Sequence, residues 1–253
     1  MSINKTRMQE GAVVFLDALG IKGIWARAEP ETVVNSWEEV LDYFDMSIRK
    51  VKDGTKDATG DVCKDCHIAA FSDTVIVTLP CEDPGRVIPF MAEIIMQPFF
   101  AGLLKGIYFR GVISIGKFYQ SQKLIIGPAI DEAAEWYTRP DWMGVSTAPS
   151  ASFGIEMIVE QGVDISNWFV KYNIPTKSGI EENGWALAWP KRVDQAIKRL
   201  DQKKPIDHKI TNRMGILNAF ASRPISISAD SKYKNTLSFF DFVTGLSNKG
   251  SNR

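Results

Sequence analysis

Apolar residues recur with two different periods along this chain. Residues 11–16, Gly-Ala-Val-Val-Phe-Leu, form a continuous, β-branched run that ends at Asp17, the pattern of a buried strand. From Pro30 the spacing changes. Val33, Val34, Trp37, Val40, Leu41 and Phe44 recur every three or four residues, which predicts a helix to about Val51 with Pro30 in its first turn. Residues 68–71 and 75–77 predict two strands joined at Ser72-Asp73-Thr74, a hairpin tip. A helix over 83–104 follows, with Asp83 as its N-cap and Pro84 at its first position. Residues 108–115 and 123–126 predict two more strands. Gly127-Pro128 opens a helix over 129–137, and 142–145 is a short strand.

This order predicts an α+β fold, a mostly antiparallel sheet with helices on one face. Beyond it, the pattern predicts a helix over 149–161, strands over 168–174 and 185–189, and helices near 192–200, 210–221 and 231–242. The chain is read as a core over residues 1–150 and a C-terminal α/β extension of the same domain over 151–253.

Charge narrows the function. Thirty Lys+Arg balance 30 Asp+Glu, so no basic excess is present to collect phosphates, and no nucleic-acid partner is expected. With 45% hydrophobic residues the chain can bury a full core, which excludes a disordered tail. The first residues hold no apolar signal segment, so a cytoplasmic protein with reduced thiols is expected. The most apolar stretch, 87–104, carries Pro89, Glu93, Gln97 and Pro98. It is read as a helix packed on a sheet, not a membrane span.

Cys63-Lys-Asp-Cys66-His67 matches the C-x-x-C-H spacing of haem attachment, which needs export. As a zinc site it lacks a local fourth ligand, and a redox C-x-x-C opens a helix, whereas this one leads into a strand. The preferred reading is loop thiols beside a strand.

The chemistry lies in two acids. Asp17 ends a buried strand and Asp73 sits at a hairpin tip, 56 residues later. If the hairpin lies beside the first strand, both carboxylates point to one spot. Each is costly to desolvate and raises the pKa of the other. Divalent cations relieve both costs, and Mg²⁺ typically takes one or two carboxylates plus phosphate oxygens. Leu19-Gly20-Ile21, after Asp17, could offer backbone N–H groups to a triphosphate.

At this point the residues resemble a family, the class III nucleotidyl cyclases. Val13-Val-Phe-Leu-Asp17-Ala-Leu-Gly20 resembles its F-x-D-I-x-G-F metal segment, and Phe71-Ser-Asp73 its second metal aspartate. Phe109-Arg-Gly-Val-Ile-Ser-Ile-Gly116 resembles its R-I-G-I-x-x-G strand, and Gly127-Pro-Ala-Ile-Asp131-Glu-Ala-Ala134 its G-x-x-V-N-x-A-A helix. The variant details look most like the bacterial Pycsar pyrimidine cyclases of anti-phage defence, including Asp141-Trp-Met-Gly144.

The resemblance implies a ferredoxin-like cyclase domain and a homodimer with active sites at its interface. It implies conversion of UTP or CTP to the 3′,5′-cyclic monophosphate, with UTP favoured over CTP. It also implies two Mg²⁺ or Mn²⁺ ions held by Asp17, Ala18 and Asp73, with phosphate contacts at Leu19, Gly20 and Ile21.

The sequence departs from the family at the transition-state Asn and Arg, which fall on Asp131 and Glu135. Neither can donate a charge-assisted bond to phosphate, so another cation is needed. Arg110 is the nearest candidate, with a structural ion pair as its competing reading; Lys117 is a second. The purine-reading positions hold Ala69 and Leu124, which form no such hydrogen bonds, and Tyr43 is a candidate wall for a smaller base.

Three other readings stay open. A haloacid-dehalogenase-type phosphatase wants a second acid where Leu19 stands. A nucleotidyltransferase palm shares the two-aspartate logic. A degenerate dimeric nucleotide sensor fits the altered Asp131 and Glu135.

Overall fold

The computed structural model describes residues 7–19, 28–55, 65–191, 213–221 and 226–245. Its elements are β1 (Gln9–Leu19), α1 (Pro30–Thr55), β2 (His67–Phe71), β3 (Thr74–Pro80), α2 (Pro84–Lys105), β4 (Tyr108–Gln120) and β5 (Ile125–Ile126). They continue with α3 (Pro128–Trp136), β6 (Val145–Thr147), α4 (Pro149–Glu160), β7 (Phe169–Thr176), β8 (Gly179–Leu187), α5 (Arg213–Ala221) and α6 (Ile227–Val243).

The sheet runs β2-β3-β1-β4-β6-β8-β7, with β5 paired to β4. Every pair is antiparallel except β4–β6. The expected mixed fold with a mostly antiparallel sheet is therefore present. The residues of the C-terminal extension contribute β7 and β8 to the same sheet.

The apolar run that predicts β1 fills the middle of the sheet. Its side chains alternate between two faces. Ala12, Val14 and Leu16 join the large core beneath α1, α2 and α4, together with Phe44, Ile88, Met91 and Ile155. Val13 and Phe15 join a smaller cluster with Val112, Ile130 and Ala133. That second cluster places α3 on the opposite face, where a single helical layer was expected. The reason lies in α3 itself. Ala129, Ile130 and Ala133 give it a narrow apolar stripe, enough for one patch of sheet.

α2 is the main core helix. Fourteen of its 22 residues are buried, Ile88, Met91, Ile95 and Phe99 among them. It starts as expected, with the Asp83 side chain accepting from the Gly85 N–H at 2.9 Å, and Pro84 follows the cap. It ends at Gly106, whose φ of 72° is the left-handed value that glycine adopts without strain.

The strand expected over 142–145 forms three residues later, at β6. Trp142 and Met143 are instead buried in the preceding loop. The helix expected over 192–200 lies outside the described residues.

Candidate active site

Cross-strand register builds the site. Asp17 pairs with Thr74 on β3 and with Arg110 on β4. Residues paired across strands share a face, so Phe71, Thr74, Asp17 and Arg110 form one row. Ala69, Ile76, Phe15 and Val112 form the next row in from the sheet end. This is the face covered further along by α3.

Asp73 lies beside the end of the Asp17 row, in the hairpin turn. Ser72-Asp73 is a two-residue turn between the paired Phe71 and Thr74, and Ser72 has φ 58°, the sign that a II′-type hairpin needs at its first position. The Ala18 N–H donates to the Asp73 carbonyl at 2.7 Å, which ties the turn to the end of β1. Asp17 and Asp73 are thus neighbours at one end of the sheet, joined through Ala18.

Arg110 grips this end. Its Nη2 donates to Asp17 Oδ2 at 2.6 Å, with side chains 8% and 17% exposed. Its Nη1 donates to the carbonyls of Thr138 at 3.3 Å and Pro140 at 3.4 Å. Its Nε is buried and has no partner among the described residues. The planar fork of Arg suits this pairing of one carboxylate with two carbonyls. Arg110 is therefore a buried partner of Asp17. Gly111 makes the arrangement possible, because a Cβ there would stand 2.3 Å from the Phe15 carbonyl of the adjacent strand.

Sequence reasoning missed the charges contributed from beyond residue 137. The backbone of 139–141 is zipped to the end of β7: Asp141 N–H donates to the Pro175 carbonyl at 2.8 Å, and Lys177 N–H donates to the Arg139 carbonyl at 3.1 Å. This brings Lys177, on the β7–β8 turn, into the field of Arg110, Asp17 and Asp141. Partial burial, with the positive charges of Arg110 and Lys232, lowers the Lys177 pKa against the opposing pull of Asp141 and Asp17. Lys232 of α6 pairs with Asp141 at 3.0 Å. Burial would raise the Asp141 carboxyl, but hydrogen bonds from Ser231 and Lys232 and the charges of Lys232 and Arg110 hold it below its ordinary value. No local periodicity signals these groups. Asp141 stood in the sequence as part of a family-like segment, with no role attached.

The other expected site residues are more scattered. Ala69 lies one row from Asp17. Leu19 ends β1, whereas Gly20 and Ile21 lie outside the described residues. Tyr43 belongs to α1, the helix on the opposite face. Leu124 is an exposed turn residue, its carbonyl accepting from the Ser121 N–H, beyond the far end of β4 from Arg110. Within the chain Tyr43, Ala69 and Leu124 therefore do not form one pocket, because register puts Leu124 at the opposite end of the β1–β4 pair from Asp17. Asp131 and Glu135 are exposed on α3, and Lys117 is an exposed residue of β4.

The donor set suits a hard cation completed by substrate. Among the described residues, no group of three or more His, Cys, Asp or Glu stands together as a metal centre. Asp17, with one oxygen committed to Arg110, and Asp73, whose backbone is tied to Ala18, carry the oxygen donors that Mg²⁺ or Mn²⁺ prefers, with phosphate oxygens to complete the shell. Cys66 and Cys81 are partly buried and lie at the other end of β2 and β3, and Cys63 lies outside the described residues.

No protein-family model matches the chain, and no curated protein matches it in sequence. Solved structures do resemble it. The catalytic core of a rhodopsin-guanylyl cyclase with converted specificity, in complex with ATPαS, is 12% identical over 72% of this chain and 97% of that chain, with a TM-score of 0.48. The adenylyl cyclase CyaB from P. aeruginosa is 13% identical over 72% and 94%, with a TM-score of 0.46. A class III adenylyl cyclase-like ATP-binding protein from Pseudomonas aeruginosa covers 96% of this chain at 11% identity, over 44% of its own length, with a TM-score of 0.41. Likeness at this level transfers neither residues nor an activity.

Proposed function

We propose that this chain is a nucleotidyl cyclase of the class III kind, acting on a pyrimidine nucleoside triphosphate. The observation that carries the reading is the tied pair at the sheet end: Asp17 beside Asp73 through the Ala18–Asp73 hydrogen bond, with Arg110 on Asp17. The fold-level likeness agrees with it but is not its basis. The reaction is attack of the 3′-OH on the α-phosphorus of the same molecule, with pyrophosphate leaving. UTP is favoured and CTP is the alternative. The product would serve as a cytoplasmic second messenger in anti-phage defence, as the resemblance implies.

Asp17, Asp73 and the Ala18 backbone would hold two Mg²⁺ or Mn²⁺ ions. When bound, such ions acidify the attacking hydroxyl and neutralise triphosphate charge. The protein's own contribution is positioning and fixed charge. Arg110 binds one Asp17 oxygen, Oδ2, and the other would be offered to the cation. Lys177, on the β7–β8 turn and in the field of Arg110 and Asp17, would supply the cation that Asp131 and Glu135 cannot. Apolar Ala69 forgoes purine hydrogen bonding, so base choice rests on pocket size.

Two copies are required by this reading. Leu124 and the exposed face of α3 stand away from Asp17 in one protomer, so a two-fold pair would bring them to the partner's acidic end, creating two equivalent sites.

The test is incubation with each of the four NTPs and Mn²⁺, read by mass spectrometry. A cyclic pyrimidine monophosphate from wild type, lost in Asp73→Ala, is expected. A longer oligonucleotide or free phosphate would overturn the reading. Unchanged NTP would favour a nucleotide-binding dimer without catalysis, the reading to which acidic Asp131 and Glu135 lend weight.

A further inference from the structure

The loop between α3 and β6 supplies the two carbonyls that accept from Arg110, and α6 holds that loop. Lys232 Nζ pairs with Asp141 Oδ1 at 3.0 Å, side chains 18% and 16% exposed. Asn235 Nδ2 donates to the Asp141 carbonyl at 2.7 Å. The Met143 N–H donates to Thr236 Oγ1 at 2.8 Å, fully buried. Phe239 meets Trp142 edge-on at 4.6 Å, while Trp142 stacks on Tyr172 of β7. Residues 232, 235, 236 and 239 follow helical spacing, so α6 turns a single stripe onto residues 141–143.

The same helices also brace the start of β4. Tyr233 packs edge-on against Tyr108, whose hydroxyl donates to the Ala219 carbonyl of α5 at 3.1 Å. Tyr108 stands two residues before Arg110. Both supports of Arg110, its own strand and its carbonyl loop, therefore lead back to the C-terminal helices.

Arg110 needs that support. Among the described residues its contacts to Thr138 and Pro140 are long, its Nε has no partner, and its one short bond is to Asp17. A loop displaced by a fraction of an ångström would redirect the guanidinium and with it the Asp17 carboxylate. Ligands oriented by outer-shell partners lose affinity when those partners go.

We propose that α6 is a positioning element for Asp17: Lys232, through Asp141 and the 138–143 loop, fixes the guanidinium of Arg110 and so sets the Asp17 oxygen offered to a divalent cation. The inference rests on the reading of Asp17 as a metal carboxylate. Lys232 and Asp141 touch no substrate in it; they act through Arg110.

The test compares Lys232→Met, Asp141→Asn and Lys232→Arg in the full chain, with Arg213→Met as a control. Arg213 pairs with Asp241, also on α6, at 2.7 Å and away from the loop. Mn²⁺ binding is measured by electron paramagnetic resonance titration, alone and with a non-hydrolysable UTP analogue, beside thermal unfolding. Lys232→Met and Asp141→Asn should weaken Mn²⁺ binding about tenfold, the low end for outer-shell partners. Lys232→Arg should restore most of it, and Arg213→Met should lower the melting temperature without changing Mn²⁺ affinity. Folded Lys232→Met and Asp141→Asn proteins with wild-type affinity would overturn the proposal, as would an equal loss in Arg213→Met. If wild type binds Mn²⁺ but converts no NTP, the cyclase reading fails and the binding series still decides the positioning role. A wild type that binds no Mn²⁺ overturns both.

Discussion

At the scale of single residues the site is a buried ion pair beside an exposed turn, and the two halves call for different tests. Asp73 lies on the turn, so Asp73→Ala should abolish cyclic nucleotide formation and leave the melting temperature within a few degrees. Arg110 is buried against Asp17, and removing one partner of such a pair strands the other charge. Arg110→Met should therefore cost about 3 kcal/mol in urea unfolding. The double variant Arg110→Met with Asp17→Leu should recover much of that stability while remaining inactive. Asp141 gives a pH signature. Its carboxyl is held below the ordinary 3.8, so its ion pair contributes stability above that value and loses it as pH falls through the lowered one. Asp141→Asn should flatten this part of the acid unfolding profile. Both Asp17 and Asp73 were legible in the sequence, because one ends an apolar run and the other sits between two. Arg110 was legible as a strand residue with two competing roles, and Lys177 and Lys232 carried no local signal.

At the scale of elements, sequence pattern and structure agree where the pattern is local. The Asp83 cap, the Pro84 start and the Gly106 stop of α2 are short-range chemistry, and all three form. Asp83→Ala should lower stability by about 1 kcal/mol, measured by thermal unfolding. Gly111 is a tighter constraint, since a Cβ there meets the Phe15 carbonyl. Gly111→Ala should separate β1 from β4 and disturb the Asp17–Arg110 pairing, seen as lost activity together with a lower melting temperature. The early expectation for β6 missed because Trp142 and Met143 are apolar for a different reason. They fill the cavity between the loop, β7 and α6, and burial without a ladder looks like strand in one dimension. The same ambiguity hid the face of α3, because a strand buried on both sides reads as one apolar run.

At the scale of the whole molecule, the C-terminal third serves the front of the chain. β7 and β8 extend the sheet, the β7–β8 turn carries Lys177 toward Asp17, and α6 grips the loop behind Arg110. The proposed dimer makes its own prediction. Asp17→Ala disables the acidic end, and Ala134→Trp places a bulky ring on the exposed face of α3. Each variant alone should be inactive, and mixing the two should restore partial activity, because one site in each mixed pair keeps an intact acidic end and an intact α3. Continued inactivity of a mixture shown by sedimentation to form mixed dimers would argue against shared sites.

The sequence by itself determined the local elements and the two acids at their ends, because period and turn chemistry are encoded within a few residues. Only the tertiary structure decided that Arg110 meets Asp17 across 93 residues, that Thr236 meets Met143 across another 93, and that Leu124 stands away from the acidic end. Those pairings follow from strand order and register, and alternation within a strand leaves the identity of its neighbour unspecified.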